Sequence, residues 1–569
     1  GSEMCIRDRY VEDKPVPPAN LDVSEQIVED GLGSGNMYWM NNGYKDGEDD
    51  DHRYVLKSDT TIKVDLSNPK TLTYGGNQGA NVANIIWGDP DYTADGFIDM
   101  NGHKLTLVSE ANHLRHYASG ILSHGGDLEI KNAAGIDIDI HGDKNAKSGI
   151  YVWGQGRNGA SLTISNDNQA EHAVKIRNTA AEKDAAILVD GRSVKDGGSA
   201  KLVIKGLVDV ENDDVSVIQA NKGDVSIGGG KIIAKGDKAS SLKINNDGKI
   251  QINGNLSDRN VLTAGAVKHD VQIEGNVLAQ KGRLGLVLNT DGSYIKGLIG
   301  TDAGTAGQTY MMLSDGASWY HEGKGARTDG IKESKIKNLE ADGGNIYQKN
   351  EKPITIENYK GNMKLFYKHE NAGTKAADYK AGNTYIGSAA EGSHITVVTD
   401  RSNINTDNED QVYEVLNALA GKLYYDAYKT GEEKLTGQAT IAEGLTSSSQ
   451  TVKMKDMLFK KENGQGYVQG KPTPPPLVNP VRHQIVEANY FAEEARDFWS
   501  KAGVYDGKGH YKFDHDLSLV THAEDDPVTT VNDNKFGNIY WNGDVVGDID
   551  MTGHRLELKS ITERLPKKN

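Results

Sequence analysis

The sequence predicts an all-β protein, and three observations support this fold class. Of the 569 residues 66 are Gly and only 7 are Phe, while Asn and Asp are frequent beside Ile, Val and Leu. This mixture suits short strands joined by tight turns. Short segments alternate apolar and polar residues, which indicates half-buried strands, and these segments recur along the chain. We therefore predict a right-handed parallel β-helix with a small α/β appendage at its C-terminal end and the start of a second repeat module.

The recurring unit contains two strands. In the first strand small residues flank an apolar residue; a Gly-rich or polar turn follows, and the second strand alternates Leu or Val with Ile. Five such units occupy residues 118–130, 147–164, 184–204, 215–227 and 260–273. Their irregular spacing fits a β-helix, in which turns vary in length. The alternative is a string of β-sandwiches, but the hairpin order typical of sandwiches is missing.

A second, longer repeat comprises a whole module of the chain. Pro-rich runs at 14–18 and 471–476 are each followed by related sequence. Gln26-Ile27-Val28-Glu29 recurs at 484–487, and residues 98–107 recur at 549–558. Ordered matches behind matching linkers predict one module copy followed by the start of another.

These features divide the chain into five parts. Residues 1–36 hold a Pro-rich linker and, at 2–9, a suspected translation of a sequencing adapter that includes Cys5, the one cysteine of the sequence. The predicted β-helix covers 37–370, an α/β module end covers 371–470, and a Pro-rich linker covers 471–482. Residues 483–569 are predicted to hold a helix and the truncated start of a second β-helix.

Two amphipathic helices are predicted from apolar residues at helical spacing. The first covers 409–428, with Thr406 and Glu409 at the spacing of a capping box. The second covers 485–501, with Gly503 just past its end. We expect both to act as caps or spacers, because a solenoid end has strand edges that need covering.

Four segments resemble the passenger domains of bacterial autotransporters and related adhesin-like surface proteins. Residues 313–319 are similar to the Leu-x-x-Gly-Ala-x-Trp phrase of such passengers, and 353–362 resemble the strand that follows it. Residues 416–425 and 441–446 resemble a further region of large autotransporter-like proteins. The resemblance covers about residues 37–470 and implies a β-helix that is secreted or held at the outer-membrane surface.

The resemblance also implies a function and partners. We expect a non-enzymatic adhesin or structural display module that contacts host or bacterial surface glycans or proteins, or associates with itself. Contact with a membrane is expected only through a C-terminal β-barrel or other anchor beyond these residues. No signal peptide, transmembrane run or sorting signal is recognisable, and we interpret the chain as a fragment. The formal charge of −17 disfavours nucleic acid as a partner, since phosphate backbones are also anionic.

The alternative function is a polysaccharide-active enzyme, either a lyase or a glycoside hydrolase, because β-helices also host these activities. Asp213 and Asp214 resemble the paired aspartates of polygalacturonases. Lys175 and Arg177 are similar to the basic motif of those enzymes, and His124 to their histidine motif. Their order along the chain is wrong, so we interpret the aspartates as turn residues and predict no catalytic residue.

Metal and cofactor sites are not expected either. Acidic clusters at 46–51, 407–410 and 524–526 have oxygen ligands suited to calcium, but they lack EF-hand spacing and the nonapeptide calcium repeat. We interpret them as solvated loops. His103 and His554 occupy equivalent positions in a Gly-His turn of the two module copies, and we interpret both as turn residues.

Overall fold

The computed structural model describes residues 51–470 apart from 57, 66–80, 89–94, 113–116, 157–158, 195–197, 301–306 and 371–377, and six short segments between 485 and 561. The chain divides into two compact units, Gly1–Val468 and Gln469–Asn569. Most described residues lie in strands, and the predicted all-β class is confirmed.

The first unit contains 34 strands and one α-helix among its described residues. The first half of the strands comprises β1 (Asp51–Val55), β2 (Thr60–Asp65), β3 (Asn81–Trp87), β4 (Asp95–Asp99), β5 (Leu105–Glu110), β6 (Tyr117–Ser123), β7 (Gly126–Ala133), β8 (Ile136–His141), β9 (Ile150–Gly156), β10 (Ala160–Asn166), β11 (Val174–Asn178), β12 (Ile187–Val194), β13 (Ala200–Asn212), β14 (Ser216–Asn221), β15 (Asp224–Ala234), β16 (Ser240–Asn245) and β17 (Gly248–Ile252). The second half comprises β18 (Gly254–Leu256), β19 (Leu262–Ala264), β20 (Val271–Glu274), β21 (Val277–Ala279), β22 (Gly282–Leu288), β23 (Tyr294–Lys296), β24 (Ile299–Gly300), β25 (Gln308–Ser314), β26 (Ser318–His321), β27 (Ser334–Gln348), β28 (Ile354–Tyr367), β29 (Thr384–Ala389), β30 (Ser393–Asp400), β31 (Leu423–Tyr425), β32 (Leu435–Ala442), β33 (Thr451–Phe459) and β34 (Gly466–Val468).

Most of these strands form three parallel faces, and each strand pairs with the next strand of the same face. We call one passage of the chain through the faces a coil. Face 1 contains β1, β4, β7, β10, the first parts of β13 and β15, β17, β22, β25, the first parts of β27 and β28, β29 and β31. Face 2 contains β2, β5, β8, β11, the last parts of β13 and β15, β20, β23, β26, the last parts of β27 and β28, β30 and β32. Face 3 contains β3, β6, β9, β12, β14, β16, β21 and β24.

The core consists of columns of branched aliphatic side chains that stack from coil to coil. Alternation along each strand turns every second side chain inward, and parallel pairing in register places like residues above one another. A column on face 1 is formed by Ile98, Ile130, Ile164, Ile204, Ile227 and Ile252, all of them buried. A column on face 3 is formed by Ile85, Ile121, Ile150, Ile187, Ile218 and Leu242, again all buried. Each such side chain contributes about 1.5–3 kcal/mol through burial.

Buried asparagines hold the turns between coils. The side chain of Asn276 accepts hydrogen bonds from the backbone N–H groups of Leu298 (2.9 Å) and Lys324 (3.1 Å). Its Nδ2 donates to the Ala326 carbonyl (3.0 Å) and to the Thr328 hydroxyl (2.8 Å). One fully buried amide therefore satisfies backbone groups from two separate turns.

The parallel pairing ends at the helix α1 (Glu409–Ala420) and an antiparallel hairpin. The apolar side of α1 is buried and contacts β30, β32, β33 and β34. β33 pairs antiparallel with β32, and β34 pairs antiparallel with β33. A short 3-10 helix, Asp426–Thr430, follows β31. These elements occupy the position expected for a cap on the last coil.

The first predicted helix was too long and its predicted cap was wrong. The helix ends at Ala420 rather than at residue 428, because β31 pairs in parallel with β29. Its N-cap is Asn408, whose side chain accepts hydrogen bonds from Asp410 N and Gln411 N, so the capping box of Thr406 and Glu409 does not form the cap. Parallel pairing also continues to Ala442, well past the predicted β-helix boundary at 370.

The second unit contains β35 (Ile485–Glu487), β36 (Gly503–Tyr505), β37 (His510–Phe513), β38 (Leu517–His522), β39 (Asp548–Asp550) and β40 (Leu556–Ile561). β35 shows that the predicted helix at 485–501 was wrong at its start; residues 488–501 lie outside the described residues. β37 pairs in parallel with β39 and β38 with β40, as β1 does with β4 and β2 with β5. The two sequence copies therefore make the same strand pairings.

A buried histidine near the end of face 2 makes stability depend on pH. His321 is fully buried, with Nε2 2.8 Å from the Ser334 hydroxyl and Nδ1 against Gln348 Oε1. Burial lowers its pKa from 6.5 to about 4. The unfolded chain therefore binds a proton at a higher pH than the folded chain does. Stability is lost as pH falls from about 6.5 towards about 4, by up to about 3 kcal/mol.

We expect His321→Gln to remove this part of the pH dependence. Between pH 7.5 and pH 4, the free energy of unfolding should fall about 3 kcal/mol more in the wild type than in the variant. Urea titrations at several pH values measure the difference, in which the contribution of the carboxylates cancels. Parallel pH profiles for the two proteins would contradict a buried neutral imidazole.

Candidate functional site

The paired aspartates singled out from the sequence lie in the turn between β13 and β14. The Lys183 Nζ lies 2.8 Å from Asp213 Oδ1 and 3.9 Å from Asp214 Oδ2. The Lys183 side chain is only 4% exposed, whereas the two carboxylates are 58% and 45% exposed. The two partly exposed carboxylates therefore neutralise the charge of a buried lysine side chain. This is a structural role within the turn.

The basic and histidine motifs lie elsewhere and do not converge on these aspartates. Arg177 pairs with Asp209 (Nη2–Oδ1 3.0 Å) and Glu211 (Nε–Oε1 3.1 Å), and Lys175 is in register with Asp209. His124 lies between β6 and β7, where its Nε2 is 3.0 Å from Gln155 Oε1. The described contacts of these residues therefore assemble no polygalacturonase-like constellation.

The predicted acidic clusters form no metal site in the described part of the chain. No group of three or more His, Cys, Asp or Glu side chains there is arranged to hold an ion. In the cluster at 407–410, Asn408 caps α1 and the Asp407 backbone N–H donates to Asn405 Oδ1 (3.1 Å). The cluster at 524–526 and the side chains of the cluster at 46–51 lie outside the described residues.

The two paired histidines occupy the same kind of corner in both module copies. His103 Nδ1 lies 3.5 Å from Asp59 Oδ1, and His554 Nδ1 lies 3.5 Å from Asp516 Oδ1. Each histidine closes a turn by donating its backbone N–H to the methionine carbonyl three residues earlier, at 2.8 and 2.7 Å respectively. The same two aspartates accept hydrogen bonds from the backbone N–H of the residue that follows each histidine, Lys104 at 2.9 Å and Arg555 at 2.8 Å. These contacts fix a turn geometry.

An aromatic patch lies on the outer side of face 3, and we call Tyr151, Trp153, His124, Asp190 and Arg192 the face-3 patch. The Trp153 ring stacks with His124 at 4.2 Å and with Tyr151 at 5.8 Å, with interplanar angles of 11° and 6°. Asp190 is in register with Trp153 and binds Arg192, with Nη2–Oδ2 at 2.6 Å. Burial and then the charge of Asp190 raise the pKa of the Tyr151 phenol, which keeps it protonated. Tyr151 and Asp190 are buried, whereas the Trp153 and His124 rings are partly exposed beside the exposed Arg192 side chain. The accessible part of the patch therefore offers apolar contact and hydrogen bonds together.

The face-3 patch was not predicted from the sequence, although a signal for it was present. Ile150 and Val152 point into the core, so Tyr151 and Trp153 must point outward from the same strand. The stacking with His124, by contrast, depends on two neighbouring coils and has no local sequence signal.

A groove with a volume of about 550 Å³ lies on the outer side of face 1. Three carboxylates line it, from Asp95, Asp127 and Glu129, together with Ser161, Thr163 and Lys205. Asp95 Oδ1 accepts the Asp127 backbone N–H at 2.8 Å, and Glu129 lies 4.0 Å from Lys205 Nζ. The groove presents hydroxyl, carboxylate and ammonium groups and is suited to polar contacts.

Comparisons with known proteins give no relative from which to transfer a function. No protein-family model matches the chain, and no curated protein or solved structure is significantly similar to it. Among the described helices, none has the length and apolar composition that spanning a bilayer requires. The geometry and the sequence resemblance are therefore the basis for a functional inference.

Proposed function

We propose that this chain is a non-enzymatic adhesin or display module of a bacterial autotransporter-type surface protein, built as a right-handed parallel β-helix. The observation that supports it best is the three-faced stack, in which each strand pairs in parallel with the strand one coil later. The right hand follows from the handedness of parallel crossovers, which is right-handed in about 98% of cases.

A display role suits this construction. Each added coil lengthens the stack by about 4.8 Å and packs against its neighbours in the same way as the other coils do. The interior columns are apolar, and the outward positions are mostly polar or charged. Weak contacts repeated along such a surface, and again in tandem modules, combine into strong attachment.

The passenger-like phrase at 313–319 has a structural role that is compatible with this proposal. Leu313 and Trp319 are buried on successive faces, and the Trp319 indole N–H donates to the Gly297 carbonyl at 2.9 Å. Between them Asp315 and Gly316 turn the chain with positive φ angles of 53° and 85°. The phrase thus forms the corner between face 1 and face 2, and a corner at this place is needed in every coil of a parallel β-helix.

Adhesion can be tested by displaying the chain on a non-adherent bacterium through a heterologous outer-membrane anchor. We expect more binding to cell monolayers and to immobilised surface glycans than with the anchor alone. Trp153→Ala should reduce binding because it removes the central ring of the face-3 patch, and Tyr320→Ala on the outer side of face 2 is the matched control. Equal binding by the anchor alone would refute the display proposal.

The second candidate function is a polysaccharide-active enzyme, which the face-1 groove with its three carboxylates favours. Under the main proposal, pectic and other acidic glycans incubated with the protein release no reducing ends and no unsaturated products. Product formation that Asp213→Asn or Asp127→Asn abolishes, with folding unchanged, would show that the enzymatic alternative is correct.

A further inference from the structure

A cavity at the C-terminal end of the first unit has the features of a small-ligand site. It has a volume of about 340 Å³, within the range of about 300–1,000 Å³ typical of such sites. Its walls come from three separate segments. They are Asn383 before β29, the stretch from Asn417 at the end of α1 to Tyr424 in β31, and the turn between β33 and β34 with Lys460. Such convergence of distant segments is typical of a built pocket rather than of a gap between neighbouring turns.

Two lysines, Lys422 and Lys460, are among the residues that line this cavity. Lys422 Nζ donates one hydrogen bond, to the Ala381 carbonyl at 2.8 Å. Neither Lys422 nor Lys460 forms an ion pair with a carboxylate among the residues that the structure describes. Burial lowers the pKa of Lys422, against the weaker opposing effect of Asp378. A partly desolvated ammonium with unused donors is stabilised by a bound anion.

The rest of the lining suits a sugar ring. Tyr424 lines the cavity, and its ring stacks on Tyr385 at 4.8 Å with an interplanar angle of 29°, which holds it in place. Asn383 and Gln465 add amide groups to the wall, and their NH2 groups donate hydrogen bonds to the Tyr385 hydroxyl (3.3 Å) and the Gly421 carbonyl (3.2 Å) respectively. An aromatic face for C–H groups beside amides for hydroxyl groups is the combination that a pyranose ring needs.

We propose that this cavity binds a carboxylated sugar, with the carboxylate at Lys422 and Lys460 and the ring against Tyr424. The size of the cavity limits the bound part to about one sugar unit. The net charge of −17 disfavours long polyanions such as nucleic acids, whereas a single carboxylate needs only the local pair of lysines. The site does not depend on the display role, so either proposal can fail alone.

Calorimetric titration and saturation-transfer NMR on the full chain test the site. The probes are glucuronate, galacturonate and N-acetylneuraminate, with glucose as the neutral counterpart and acetate as the anion without a ring. We expect saturable binding of at least one acidic sugar, on the order of millimolar affinity, and no saturation with glucose or acetate. Lys460→Gln should weaken binding at least about tenfold, as expected when a charged hydrogen-bond partner is lost.

Lys461→Gln is the matched control, since Lys461 is the exposed neighbour that does not line the cavity. It should leave the affinity unchanged, and both variants should unfold at the wild-type temperature. Lys422→Gln removes the other ammonium group, and its affinity for the acidic sugar should also be weaker than that of the wild type. The proposal is wrong if no acidic sugar saturates the protein, if glucose or acetate binds equally well, or if Lys460→Gln and Lys461→Gln behave alike.

Discussion

Replacing Ile204 with alanine should lower the free energy of unfolding of the first unit by about 2–5 kcal/mol. Ile204 is only 1% exposed and is paired with Ile164 on one side and Ile227 on the other. Because neighbouring coils are held by backbone hydrogen bonds, they cannot collapse into the space that the lost carbons leave. The substitution should therefore carry most of the penalty of an unfilled cavity as well as the lost burial.

The matched control is Val203→Ala on the same strand. Val203 points outward and lines the face-1 groove, so its truncation leaves no internal cavity. We expect a change of no more than about 0.5–1 kcal/mol there. Urea unfolding of both variants measures the difference, and equal losses would show that the two side chains do not face opposite sides of the sheet.

Asn276→Ala should be similarly costly, at about 3–5 kcal/mol. The alanine leaves the backbone N–H groups of Leu298 and Lys324 and the Ala326 carbonyl without their buried partner. Each such group costs about 1–3 kcal/mol when it is unsatisfied, although water entering the space offsets part of the loss. We also expect faster amide hydrogen exchange at Leu298 and Lys324.

Asn255→Ala provides the comparison for Asn276. Asn255 lies on the exposed hairpin of β18 and β19, where its side chain contributes no described hydrogen bond. It should change stability by less than about 0.5 kcal/mol. A loss at Asn276 no larger than that at Asn255 would contradict the view that a buried amide holds the two turns together.

The strands could be predicted from local alternation. Face 2, however, could not be recognised as a separate face from the two-strand repeat. The unit at 147–164 contains β9 and β10, and the alternating segment at 200–204 begins β13. The first four two-strand units sample faces 3 and 1 only. The fifth, at 260–273, was assigned wrongly, because its strands are β19 of the antiparallel hairpin and β20 of face 2. The face-2 strands β8 and β11 alternate as clearly, but they follow the preceding strand after short turns and were not counted as a separate element.

Features that depend on pairing between distant segments were not predictable. Residues 423–425 continue an amphipathic pattern, yet they form β31 because β29 offers a parallel edge some forty residues earlier in the chain. Tertiary pairing of this kind overrides local helix propensity. The candidate carboxylated-sugar site has the same origin, since its lysines come from segments that only the fold brings together.

Distances measured by pulsed electron–electron double resonance between spin labels should show that each coil stacks directly on the one before. One column of outward residues on face 1 runs in register through Asp127, Ser161, Lys201, Asp224, Lys249, Arg283 and Gln308. Labels are attached at cysteines placed at Asp127 and at one of Lys249, Arg283 or Gln308, in a Cys5→Ser background.

These three pairs span four, five and six coil steps along that column. With about 4.8 Å per step, we expect backbone separations of about 19, 24 and 29 Å, increasing in equal increments. The increments matter more than the absolute values, because the label arms add a similar offset to each pair. Distances that fail to rise in this order, or that stay constant among the three pairs, would contradict the stacked-coil architecture on which the proposed function rests.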